Sequence, residues 1–63
     1  MDQTAKDKLE HSLYLQYEYI YTHYEKGMTQ FNTALATLDD CVESIETIMN
    51  MPGLKNSLKK SFN

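Results

Sequence analysis

The side chains that could carry out chemistry in this chain are two histidines, one cysteine and a set of carboxylates. A zinc site needs several ligands on one face, as in His-x-x-x-His or Glu-x-x-His, and neither pattern includes His11 or His23. A cysteine nucleophile needs a group that stabilises its thiolate, whereas the neighbours of Cys41 in sequence are acidic. The sequence therefore predicts no catalytic residue, no metal, no cofactor and no small-molecule substrate, and we expect a protein that is not an enzyme.

Five tyrosines lie within eleven residues, which is the most unusual feature of the composition. Tyrosine buries a large ring and keeps a polar hydroxyl, and it is enriched at the centres of protein interfaces. Two interpretations stay open: the rings form the core of a helical bundle, or they form a partner-binding face. The tyrosines are Tyr14, Tyr17, Tyr19, Tyr21 and Tyr24.

Apolar and aromatic residues recur at spacings of three and four along most of the chain, as in the a and d positions of a heptad. The g positions are also apolar or small, which widens the apolar face and is typical of a helix in a three- or four-helix bundle. We predict that the a and d residues form an interface. They are Tyr14, Tyr17, Tyr21, Tyr24, Met28, Phe31, Leu35, Leu38, Val42, Ile45 and Met49.

Gly27 decides how these residues are arranged. A glycine favours the left-handed turn that ends a helix, so we predict an antiparallel helical hairpin with helices over residues 4–26 and 29–50. The alternative is one long heptad helix, which the unbroken phase across Gly27 favours. Pro52 and Gly53 then stop the helix, and a short basic amphipathic helix follows over residues 54–62. The whole chain, residues 1–63, is predicted to be one all-α domain.

The charge is uneven and acidic, with a net charge of −3 and no arginine. An acidic chain does not favour binding to nucleic acid, and no stretch approaches the ~20 apolar residues of a membrane span. The charged residues near the C-terminal end have two interpretations: the basic tail packs on an acidic helix face, or the two charge groups form a partner surface. The residues are Asp39, Asp40, Glu43 and Glu46, followed by Lys55, Lys59 and Lys60.

A domain of this size is marginal alone, and a single cysteine allows no internal disulfide. We therefore expect a helical bundle that is completed by oligomerisation, and a soluble cytoplasmic protein. The predicted function is a small adaptor or regulator that binds proteins, as a homo-oligomer or in a heteromeric bundle. One alternative is a small inhibitor, of phage or mobile-element origin, that blocks an enzyme or a DNA-binding regulator. Another is a structural subunit of a larger coiled-coil assembly.

Overall fold

A computed structural model describes residues 3–63, which fold into three helices. Helix α1 spans Gln3–His23, α2 spans Thr29–Ile48 and α3 spans Leu54–Lys59, with a final 3-10 turn over Lys60–Phe62. The described residues contain no strand, so the prediction of an all-α fold is confirmed. Within this part of the chain, no helix has both the length and the apolar character needed to cross a membrane.

The chain reverses direction between α1 and α2 in a five-residue loop that contains Gly27. Helix α1 ends at His23, three residues before the predicted end, and the Tyr24 N–H then donates to the Ile20 carbonyl at 3.2 Å. Gly27 has a φ of +86°, a left-handed conformation that costs other residues about 1–2 kcal/mol. The helical hairpin is therefore confirmed, and the alternative of one long helix is wrong.

Helix α2 ends in a Schellman motif, in which two N–H groups satisfy the last free carbonyls. The Met51 N–H donates to the Glu46 carbonyl at 2.9 Å, and the Asn50 N–H donates to the Thr47 carbonyl at 3.4 Å. Asn50 has a φ of +52°, and asparagine tolerates this conformation better than most residues. The helix ends two residues before the predicted position because Asn50, ahead of the proline, already turns the chain.

The core lies where all three helices meet. A fully buried leucine or phenylalanine contributes about 1.5–3 kcal/mol, so the short α3 contributes to stability well beyond its length. Because α3 covers one side of the hairpin, part of the wide apolar face is covered within a single chain, and completion of the bundle by oligomerisation remains a prediction. The buried side chains are Leu13, Tyr17 and Ile20 from α1, Phe31, Leu38 and Val42 from α2, and Leu54 and Leu58 from α3.

Phe62 anchors the end of the tail in a cluster of aromatic rings. Its ring stacks on Tyr21 with a centroid distance of 4.8 Å and lies 5.2 Å from the ring of Tyr14. Tyr21 in turn meets Phe31 edge-on at 5.4 Å. Offset and edge-to-face pairs of this kind add about 0.5–1.5 kcal/mol beyond the buried area. The end of the tail therefore packs on α1 and forms part of the fold.

Candidate protein-binding face

One carboxylate of α2 links all three helices. Asp39 accepts a hydrogen bond from the Tyr17 hydroxyl of α1 at 2.7 Å through Oδ1. Its Oδ2 accepts from the Lys59 ammonium of α3 at 2.8 Å. The side chains of Asp39 and Lys59 are each 21% exposed, so this pair is more shielded from solvent than an ordinary surface ion pair. The network orients α3 on the hairpin.

The N-terminus of α3 is held by two further carboxylates. The Lys55 ammonium pairs with Glu43 at 2.5 Å, and the Lys55 backbone N–H donates to Oε2 of Glu46 at 2.8 Å. The hydrogen bond to Glu43 raises the pKa of Lys55 above its ordinary value. Asp40 and Lys60 are exposed and form no ion pair among the described residues. The other five charged residues predicted as a partner surface all hold α3 in place.

Tyr17 is the central polar group of the core. Its side chain is fully buried, and this burial, followed by the hydrogen bond to Asp39, raises the pKa of the phenol far above its ordinary value of 10. The hydroxyl therefore stays protonated at physiological pH and donates to the carboxylate. Since both groups are satisfied by each other, their contact ties α1 to α2.

The predicted interface residues divide into three groups. Four of the eleven lie in the buried core, and Met28 is 57% exposed beside the loop. Met28 lies outside the core because the chain turns at Gly27, so the apolar row does not continue across it. The half-buried members are Tyr14, Tyr21, Tyr24, Leu35, Ile45 and Met49. The first five of them pack against the buried core.

A groove on the hairpin is lined by residues of α1 and α2 alone, with no contribution from α3. It has a volume of about 490 Å³. Small side chains of α2 leave this space, and the ring of Tyr19, 54% exposed, stands at its edge. We call this surface the open face, and its residues are Gln16, Tyr19, Ile20, Ala34, Thr37, Leu38 and Cys41.

The open face differs from the rest of the surface in charge. All seven of its residues are uncharged, although 24% of the chain is Asp, Glu or Lys. A neighbouring hollow that shares Ala34 is also uncharged. By contrast, the clefts lined by α3 contain Asp7, Glu10 and three lysines. The centres of protein interfaces are depleted in charged residues, so this contrast singles out the open face.

The open face is not among the predicted sites, although the sequence of α2 carries a signal of it. Residues spaced by three and four lie on one face of a helix. On this face of α2 no residue is charged, and the residues are Gln30, Ala34, Thr37, Cys41, Ser44 and Ile48. Tyr19 was noted only as one of the tyrosines, yet its ring stacks on His23 at 4.1 Å and is the exposed one. Cys41, which also lies on this face, is exposed.

No group of three or more His, Cys, Asp or Glu side chains within residues 3–63 could hold a metal ion. No protein-family model matches the chain, and it has no significant match among curated proteins or solved structures.

Proposed function

We propose that the protein is a non-enzymatic protein–protein interaction module, a small helical adaptor or regulator, and that the open face is its binding surface. The observation that carries this proposal is the uncharged surface beside the exposed Tyr19, in contrast to the charged clefts lined by α3. Tyrosine is among the residues that contribute most to binding energy at interfaces. An exposed tyrosine beside a charge-free groove fits that role.

The shape of the groove supports a helical partner. Two helices with small residues between them form a channel into which the side chains of a third helix can pack, as in helix-in-groove recognition. Ala34, Thr37 and Cys41 line one side of the channel and Gln16 and Ile20 line the other. The Gln16 amide and the Tyr19 hydroxyl at the edge of the groove can each donate and accept hydrogen bonds.

A second function, an inhibitor that blocks an enzyme or a DNA-binding regulator, is favoured by Tyr19 alone. An inhibitor of this size depends on a few aromatic anchors that face solvent until the target arrives. Tyr19 is the most exposed aromatic side chain of the described residues. Both functions use the same surface, and they differ in whether the activity of the bound protein falls on binding.

Site-specific photo-crosslinking tests the proposal. A photoreactive phenylalanine analogue is placed at Thr37 on the open face or, as a matched control, at the exposed neighbouring residue Ala36 on the opposite side of the helix. Each variant is expressed in the cells of origin and irradiated, and the adducts are identified by mass spectrometry.

We expect a defined protein adduct from position 37 and none from position 36. An adduct with an enzyme or a DNA-binding protein whose activity falls on binding supports the inhibitor. Equal adduct patterns from the two positions, or no adduct from position 37, would refute the open face as the binding surface.

A further inference from the structure

We infer that the protein bound on the open face is a second copy of this chain, related by a twofold axis. This inference rests on the proposed function and names its partner. Two hairpins that meet through their open faces bring α1 and α2 of each copy together in a four-helix bundle. Both copies of α3 then lie on the outside, each held by its own ion pairs to α2.

The charge distribution favours a second copy. Each chain carries a net charge of −3, so two copies repel each other over most orientations. In a twofold interface the same patch occurs on both sides, and a charged residue near the axis would meet a like charge. The open face avoids this cost because none of its seven residues is charged.

The polar groups of the open face are able to pair with themselves. Gln16 and Tyr19 each carry a group that donates and accepts hydrogen bonds, so each can bond to the same residue type in the other copy. The Thr37 hydroxyl donates to the Thr33 carbonyl at 2.9 Å and remains an acceptor. The face also offers both an exposed aromatic ring and a recess, since Tyr19 is 54% exposed beside a groove of about 490 Å³. A self-complementary surface needs both features.

The size of the face matches what a dimer needs. Helices α1 and α2 contain 21 and 20 residues, so each is about 30 Å long at a rise of 1.5 Å per residue. The molecule is 15–18 Å across, so a flat face on each copy measures about 500 Å². Two copies together bury about 1,000 Å² or more, because side chains that project from the face add to the flat area. This total reaches the lower bound of a specific interface.

Ile48 is consistent with the same partner. It is 78% exposed, more than any other large hydrophobic residue described. It lies seven residues beyond Cys41, and Cys41 lies seven beyond Ala34, so the three share one side of α2. A second copy lying along the whole length of the open face covers Ile48.

Analytical ultracentrifugation from about 1 µM to 1 mM tests the inference on the full chain. We expect a monomer–dimer equilibrium whose dissociation constant rises at least tenfold in Thr37→Glu and in Gln16→Glu. In the twofold dimer each introduced glutamate lies opposite or near the same glutamate of the other copy, and these like charges repel each other. Ala36→Glu adds the same charge one residue away and is expected to leave the dimer unchanged. Circular dichroism melts of each variant confirm that the monomer is folded.

A second readout uses Cys41, which is the only cysteine. A short bis-maleimide is expected to link two wild-type chains but not Thr37→Glu chains at the same concentration. A chain that stays monomeric at 1 mM would overturn the second copy as partner, and so would a dimer that Thr37→Glu and Ala36→Glu affect equally. If the photoreactive analogue at position 37 then captures a different protein, the proposed function stands without the dimer. If it captures nothing, both fail.

Discussion

The hydrogen bond between Tyr17 and Asp39 makes the sharpest prediction about stability. Tyr17→Phe removes only the hydroxyl that donates to Asp39 at 2.7 Å. A hydrogen bond to a charged group contributes about 1.5–3 kcal/mol. Asp39 keeps Lys59 and is 21% exposed, so it is partly compensated after the change. We therefore expect a loss at the lower end of that range, about 1.5 kcal/mol.

That loss is large for so small a domain. At about 0.05–0.15 kcal/mol per residue, 63 residues give a total stability of about 3–9 kcal/mol. A change of 1 kcal/mol shifts the melting temperature of a domain this size by about 4–8 °C, so Tyr17→Phe is expected to melt about 6–12 °C lower. The matched control is Tyr24→Phe, since the Tyr24 hydroxyl has no hydrogen bond among the described residues, and it is expected to stay within about 0.5 kcal/mol.

A double-mutant cycle with Asp39→Ala assigns the loss to the pair. Urea unfolding at low protein concentration is expected to give a coupling energy of about 1 kcal/mol or more between the two positions. A coupling below about 0.5 kcal/mol would refute the view that this contact ties α1 to α2.

The same pair predicts how stability depends on alkaline pH. The folded-state pKa of Tyr17 is raised above its unfolded value of 10. Above pH 10 the folded state therefore holds a proton that the unfolded state has lost, and stability falls as pH rises. Between pH 9 and 11 the advantage of the wild type over Tyr17→Phe is expected to shrink by up to about 1.4 kcal/mol per pH unit. An advantage that grows with pH would contradict the raised pKa.

The remaining predictions concern α3 and the turns, with Asp40→Ala as a shared surface control expected within about 0.5 kcal/mol of the wild type. Leu58→Ala empties a buried position of the core, so chemical unfolding should show a loss of about 2–5 kcal/mol; a loss below 1 kcal/mol would mean that α3 is not part of the core. Glu46→Ala leaves the Lys55 N–H without its carboxylate, which should cost about 1 kcal/mol, as other lost helix caps do, and should increase hydrogen exchange in α3 before α1. Gly27→Ala meets no neighbouring atom but puts a Cβ at a φ of +86°, so thermal melts should show a loss of about 1–2 kcal/mol; an unchanged melt would mean that the loop relaxes freely.

Local residue patterns were enough to predict the helical content and to favour the hairpin over one long helix. The spacing of apolar residues by three and four has no strand counterpart, and Gly27 is the residue type that a left-handed turn requires. The position of the tail helix followed from Pro52 and Gly53 in the same way. The ends of the helices were less accurate, because Asn50 can cap a helix as well as continue it.

The sequence by itself determined that the chain is helical and that its apolar face is wider than one neighbouring helix can cover, and it favoured a turn at Gly27 over one long helix. Only the tertiary structure decided which part of that face α3 covers and which part stays open. Periodicity fixes which side of each helix is apolar, but not how the helices rotate against one another. That rotation depends on contacts between residues far apart in sequence, such as Asp39 with Tyr17 and Lys59. Those contacts place α3 on one side of the hairpin and leave Tyr19 and Cys41 exposed.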